Sequence, residues 1–355
     1  MEKITNTKIF IDDSYKNIEK CINDLNNGKK INDVYDKVLV ITDTNVYKYQ
    51  FNILIENINH DNIYKYIIKS GESSKSLEVY EDIIKYLIDI NLSRKSLIVA
   101  LGGGVVGDLA GYVSSTYMRG IDFIQVPTTL LSQVDSSIGA KNGINLGNLK
   151  NVIGTFYDPI FTYINVSSLD TLDFDEFKSG LSEIIKYGVI YDYDFLLYLR
   201  KNKENILNKN KESLLYIIKK SAYIKSKIVK LDKNEKNLRK ILNFGHTFGH
   251  SIENLFDLSH GYSVSIGMNM AFKFALNEGF IDNKYYDEFL EILKIYELPF
   301  SIDIENKIDK AMDLMKNDKK SSFENINLIL PNGKGSVFEF INTDDEKILK
   351  VMRDK

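Results

Sequence analysis

The chain has 355 residues, 44% hydrophobic and 27% charged, which is enough for two domains and a large core in a globular protein. A formal net charge of -3 argues against nucleic acid as the main partner, so any anion site must be a local cluster of cations. Cys21 is the only cysteine, which excludes an internal disulfide or a thiolate metal cage and fits a reducing cytoplasm; the first residues open no apolar run that reads as a secretory signal.

Residues 37–43 (KVLVITD) predict a buried parallel strand that ends on Asp43. Ligands gather at that end of an open α/β sheet, which makes Asp43 and Asn45 candidates for cofactor contact; Asp43-Thr44-Asn45 can also simply cap the next helix. Residues 70–75, with Glu72 and Lys75, read as a loop entering an amphipathic helix over 77–88. A second strand over 96–101 runs into Gly102-Gly103-Gly104-Val105-Val106-Gly107-Asp108, a G-x-G-x-x-G pattern. Its glycines permit a tight turn, and a following helix N-terminus offers N–H groups to a pyrophosphate. The acid usual about 20 residues further on is missing. Instead the next strand, 121–126, ends in Pro127-Thr128-Thr129, which leaves Asp43 as the candidate for a ribose. Residues 97–118 carry one charge, Asp108, but five glycines favour a strand, a turn and a packed helix over a membrane span.

Residues 133–151 are polar and glycine-rich and include Asp135, Lys141, Lys150 and Asn151; they read as a solvated loop or as a loop that binds phosphate or carboxylate. After a strand over 160–166 the periodicity becomes mostly helical, as in 211–231 and 263–278, so the expected boundary falls at Ser167-Ser168. The expected domains are 1–167, α/β and dinucleotide-binding, and 168–355, mainly α-helical. Residues 326–330 and 336–340 predict a hairpin around Pro331-Asn332-Gly333-Lys334-Gly335.

Three of the four histidines, His246, His250 and His260, lie close together. His246 and His250 are four apart and share a helix face, which can offer two imidazoles to one metal ion or one anionic ligand; ordinary helix histidines can have the same spacing. Gly245 and Gly249 let another backbone or a ligand come close. Glu183 supplies an acid in an apolar helical stretch, 180–188. Lys141 and Arg239 sit among glycine or polar neighbours and read as positions outside the core.

The motifs GGGVVGD, QVPTTLLSQVDSSIGAKNGIN, SGLSEIIKYG and LRKILNFGHTFGH, in this order, resemble the 3-dehydroquinate synthase family of the shikimate pathway, which leads to chorismate and the aromatic amino acids. The resemblance implies an NAD-binding α/β domain, a mainly helical metal-binding domain, an active site in the cleft between them, and a homodimer. By motif, Glu183, His246 and His260 look like the ligands of a divalent metal, zinc or cobalt. Asp43, Asn45, Glu72, Lys75, Gly103, Gly104, Asp108, Thr128 and Thr129 match NAD contacts, with Lys141 and Lys150 beside them. Asp135, Lys141, Asn151, Lys186, Lys225, Arg239, Asn243 and His250 match contacts to a sugar acid phosphate. Arg119 and Lys319, or its neighbour Lys320, look like further phosphate-side cations. The implied reaction turns 3-deoxy-D-arabino-heptulosonate 7-phosphate into 3-dehydroquinate and phosphate by transient oxidation, elimination, re-reduction and aldol closure. The chain reads His260-Gly261-Tyr262 where most of the family reads His-Gly-Glu, which bears on whatever orients the His260 imidazole. Alternatives are other sugar-phosphate cyclases, a metal-dependent polyol dehydrogenase, and a non-catalytic NAD- and metal-binding protein.

Overall fold

The structure, a computed structural model, describes residues 7–147, 149–232, 235, 237–317, 325–342 and 344–354. The chain divides into two compact units: Met1–Leu172 with Leu214–Lys227, and Asp173–Ser213 with Ile228–Lys355.

In the first unit the strands are β1 (Lys8–Asp12), β2 (Val38–Asp43), β3 (Ile63–Ile68), β4 (Leu97–Gly102), β5 (Asp122–Pro127), β6 (Lys141–Leu146), β7 (Leu149–Phe156) and β8 (Phe161–Asn165). Six of them form one parallel sheet in the order β1-β8-β5-β4-β2-β3. Alternation in the central strands builds a core on each face. Val38, Val40, Leu97, Val99 and Leu101 pack with Tyr15, Ile18 and Leu54, while Leu39, Ile41, Ile98 and Ala100 pack with Ile83, Leu87, Leu109 and Val113. Each such aliphatic side chain, fully buried, stabilises by roughly 1.5–3 kcal/mol relative to exposure.

The strand order reverses at β2. The chain passes from β2 out to β3 on one side, then to β4, β5 and β8 on the other. The carboxyl ends of β2 and β4 therefore flank a topological switch point, the usual place for a ligand in such a sheet. Asp43 closes β2, and Gly102 closes β4. Helix α1 (Leu77–Asp89) follows the Glu72–Lys75 turn, and α2 (Gly104–Thr116) follows the glycine loop. No helix among the described residues is long and apolar enough to cross a membrane.

Residues 133–151 differ from the sequence reading. They hold a helical turn, Ser132–Ser136, and then β6, which pairs antiparallel with β7 as a separate hairpin. The helix α2 packs against this hairpin so closely that a Cβ on Gly111 would lie 1.9 Å from Asn142 Oδ1.

The second unit is mainly helical. Its helix α3 (Phe174–Ile190) is capped by Asp173, whose carboxylate accepts from the N–H groups of Asp175 and Glu176. The next long helix, α4 (Lys211–Leu231), contributes Leu214–Lys227 to the first unit. Helices α5 (His246–Phe256) and α6 (His260–Asn277) pack backbone to backbone: a Cβ on Gly267 would lie 2.0 Å from Gly245 O and 2.6 Å from Gly249 N. The close approach expected at Gly245 and Gly249 is thus made by a neighbouring helix. The predicted hairpin is present as β9 (Ile326–Gly333) and β10 (Ser336–Asn342).

Candidate active site

In the second unit, Glu183 is fully buried in α3. Neither carboxylate oxygen receives an aligned hydrogen bond, although the Lys186 ammonium, one turn on, forms an ion pair with Oε2. Two imidazoles face the other oxygen: His246 Nε2 is 3.6 Å and His260 Nε2 3.8 Å from Glu183 Oε1. These separations are too long for good hydrogen bonds. Each ring is held from behind. His246 Nδ1 lies 3.0 Å from the Phe244 carbonyl oxygen, and His260 Nδ1 lies 3.0 Å from Glu253 Oε2. With Nδ1–H donating in both, each Nε2 turns a lone pair toward Glu183. The three candidate ligand atoms lie within 4.8 Å of one another.

A buried carboxylate short of donors is costly unless a cation meets it. Two neutral imidazole nitrogens and one carboxylate oxygen are the donor set of a divalent ion that keeps positions open. The residues therefore fit a metal. Burial, Lys186 and the neighbouring histidines hold His246 well below the usual imidazole range, which suits a neutral ligand. Burial also presses His260 down, but contacts with Glu183 and Glu253 outweigh it and push the ring up to about 9. The His250 ring centroid lies 5.3 Å from that of His246 and 6.2 Å from that of His260.

Two acids here escaped the sequence reading. Glu253 lies seven residues after His246, on the same helix face, and that spacing was the available signal. Glu235 Oε1 accepts from Asn243 Nδ2 at 2.8 Å, in a stretch whose charge run gives no cue. Arg239 also departs from expectation: it is 3% exposed, and so belongs to the interior.

In the first unit, the Asp43 carboxylate accepts from the N–H groups of Asn45 and Val46 at 2.9 and 3.0 Å, which is the capping geometry. Asn45 is exposed. Lys75 is buried, with Nζ 2.7 Å from Asp108 Oδ2, in contact with Asn151 Oδ1, and 3.7 Å from Glu72 Oε1. Asn145, not foreseen, joins this group by donating to Glu72 at 2.9 Å and accepting from the Asn151 N–H at 2.8 Å. Burial raises the Asp108 carboxyl above the usual range, while Lys75 pulls the other way. The glycine loop is tight for lack of space: a Cβ on Gly103 would meet Thr129 Cγ2 at 3.0 Å, and one on Gly104 would meet Ser136 Oγ at 3.1 Å. Thr128 is buried, and Thr129 Oγ1 bonds Ser132 Oγ at 2.8 Å. Lys225, on the α4 segment of this unit, places Nζ 2.7 Å from both the carbonyl oxygen and Oδ1 of Asp135.

Lys141 and Lys150 are exposed on the β6–β7 hairpin. Arg119 is exposed at a turn where Met118 and Arg119 both take left-handed backbone, φ 49 and 69. Lys319 and Lys320 lie outside the described residues.

Residues 65–179 match the family described as 3-dehydroquinate synthase N-terminal, and residues 180–321 match 3-dehydroquinate synthase C-terminal. The chain is 46% identical over 322 residues to a 3-dehydroquinate synthase of Thermoanaerobacter sp. (strain X514), covering 89% of this chain and 90% of that one. It is 41% identical over 347 residues to a 3-dehydroquinate synthase of Acetivibrio thermocellus, covering 96% and 94%. In fold it is similar to a 2-epi-5-epi-valiolone synthase of Streptomyces hygroscopicus solved with NAD+ and Zn2+ bound, with TM-score 0.86 at 22% identity over 99% of this chain and 97% of that one. It is also similar to a 2-deoxy-scyllo-inosose synthase complexed with carbaglucose-6-phosphate, NAD+ and Co2+, with TM-score 0.82 at 24% identity over 98% and 96%.

Proposed function

The chain belongs to the 3-dehydroquinate synthase family, and from that premise we propose which of its residues carry the reaction. The activity is the conversion of 3-deoxy-D-arabino-heptulosonate 7-phosphate to 3-dehydroquinate and phosphate.

In this reading Glu183, His246 and His260 hold one divalent ion, zinc or cobalt. The observation that carries it is the pair of Nε2 atoms facing a buried carboxylate oxygen that has no hydrogen-bond donor. NAD is held at the carboxyl ends of β2 and β4, by Asp43, Asn45, Glu72, Lys75, Gly103, Gly104, Asp108, Thr128 and Thr129, with Lys141 and Lys150 from the hairpin. When bound, the ion supplies Lewis acidity that lowers the pKa of a substrate hydroxyl, and NAD supplies a hydride acceptor.

The chain's own groups supply position and charge. Lys186 is fixed by Glu183 and Lys225 by Asp135, so both ammonium groups are set before the anionic substrate arrives. With Arg239, Lys141, Asn151, Asn243, Arg119 and Lys319 they meet its carboxylate and phosphate. Oxidation of the carbinol to a ketone acidifies the neighbouring C–H. The proton leaves toward the substrate's own phosphate, supported by His250, and phosphate is eliminated. With NAD bound, the hydride would return to the substrate before release; the sugar ring would then open, and an aldol step would close the carbocycle while the same groups hold its two ends in reach. We place the reaction in the cytoplasm, in line with the single buried thiol of Cys21. The homodimer expectation rests on the family resemblance.

One assay tests the reading. The protein is incubated with divalent metal, trace NAD and the heptulosonate phosphate, and phosphate and NADH absorbance are followed together. Phosphate should form in excess over NAD without NADH accumulating. NADH released in step with product would identify a dehydrogenase, and neither signal would identify a binding protein.

A further inference from the structure

The His260 imidazole is held between two carboxylates on two helices. Its Nε2 faces Glu183 on α3, and its Nδ1 lies 3.0 Å from Glu253 Oε2 on α5. His246 is held differently, by the neutral carbonyl of Phe244. Position 262 holds a tyrosine whose hydroxyl donates to Asp175 Oδ1 at 3.0 Å. The side chain at 262 thus ties the start of α6 to the start of α3, and the polar partners of His260 are Glu183 and Glu253. Glu253 stands where an orienting carboxylate is required: one turn past His250, two turns past His246, and largely shielded from solvent.

We infer that Glu253 is the positioning residue of the His260 imidazole. Its carboxylate accepts the Nδ1–H, which fixes the ring's tautomer and rotation and leaves Nε2 as the nitrogen offered to a metal ion. The inference rests on the proposed reading that His260 is a metal ligand. It gives the two imidazoles unequal support, one anionic and one neutral, so that His260 is the stronger donor of the pair. Glu253 contributes no atom to the ion itself.

The test uses the full chain stripped of metal and titrated with Co2+, following affinity, stoichiometry and the visible spectrum, beside thermal unfolding. Glu253→Ala and the near-isosteric Glu253→Met should each weaken Co2+ binding by about 10–100-fold and alter the cobalt bands. Glu253→Gln keeps an acceptor at the same reach and should recover most of the loss. Tyr262→Phe, which removes only the contact with Asp175, should leave affinity and spectrum at wild-type values. If Glu253→Ala fails to fold, Glu253→Met carries the same expectation with the side-chain volume kept. Affinity within twofold of wild type and an unchanged spectrum in the Met variant would overturn the inference while leaving the metal site intact. Two ions per wild-type chain, falling to one in the Glu253 variants, would overturn it in favour of direct ligation with His250. A wild-type chain that binds no Co2+ would bring down the metal reading and this inference together.

Discussion

Gly261 lies so close to Ser179 that a Cβ on Gly261 would fall 1.9 Å from the Ser179 carbonyl oxygen, and the Gly261 N–H donates to Ser179 Oγ at 3.1 Å. Ser179 and Glu183 are one turn apart on α3, and Gly261 follows His260 at the start of α6. The distance between two proposed ligands is therefore set by a contact that only glycine allows.

Gly261→Ala is expected to push α6 off α3. Overpacking of this kind costs about 1–3 kcal/mol, occasionally more. The metal titration should show weakened binding, with a lower melting temperature. Ser179→Ala, which removes one hydrogen bond worth roughly 0.5–1.5 kcal/mol, should be milder in both respects. An alanine variant with wild-type metal affinity and stability would show that the helix contact does not position the ligands.

Chelation should abolish turnover, and zinc or cobalt should restore it. His260→Ala should lose metal as measured by elemental analysis. Tyr262→Glu should retain one ion per chain but melt lower, because it exchanges a hydrogen bond to Asp175 for a like charge beside it. Full activity in a verified metal-free preparation would sink the ligand assignment.

Lys141→Ala and Arg239→Ala should part company. A charge-assisted contact is worth roughly 1.5–3 kcal/mol, so both should lose at least about tenfold in kcat/KM. Lys141 is exposed, and its variant should melt close to wild type. Arg239 is buried, and its removal leaves former partners in the interior, so its melting temperature should fall as well. Equal melting temperatures would contradict the interior placement of Arg239.

Cys21 is buried, and its thiol is pushed up to about 11 by burial, with Asp24 and Asp12 adding to the effect. A thiol reagent at pH 8 should find no reactive group in the native chain and one per chain after unfolding. The sign for stability follows from the raised value. Above the ordinary thiol range the unfolded chain loses its proton first, so the contribution of Cys21 is complete at neutral pH and fades as pH climbs toward 11. Rapid native-state labelling at pH 8 would refute the burial.

Much of this arrangement could be read from the residues, and what escaped has physical causes. The runs that became β2, β4, β5 and β8 were visible because central parallel strands are apolar on both faces. The strands β1 and β3 lie at the two edges of the sheet, where Lys8–Asp12 and Ile63–Ile68 are only partly buried and their pattern is diluted. The β6–β7 hairpin hid behind asparagine and glycine, since Leu146, Leu149 and Phe156 show apolar character but face outward. Glu253, Glu235 and Asn145 act by holding other polar groups. Nothing in a single carboxylate or amide distinguishes that task from a solvated surface until the partner's position is known. Arg239 shows the converse, because polar neighbours in the chain say little about burial in space.

The return of α4 to the first unit bears on how the chain is made. All six strands of the parallel sheet have been synthesised by Asn165, yet the segment that brings Lys225 to Asp135 comes only with Leu214–Lys227. A nascent chain emerging from its N-terminus must wait, with those strands synthesised and this last segment of the first unit absent, while part of the helical unit is translated. Cutting the gene after Leu172 should accordingly yield a fragment that exposes apolar surface and aggregates, whereas no single cut releases the two units intact.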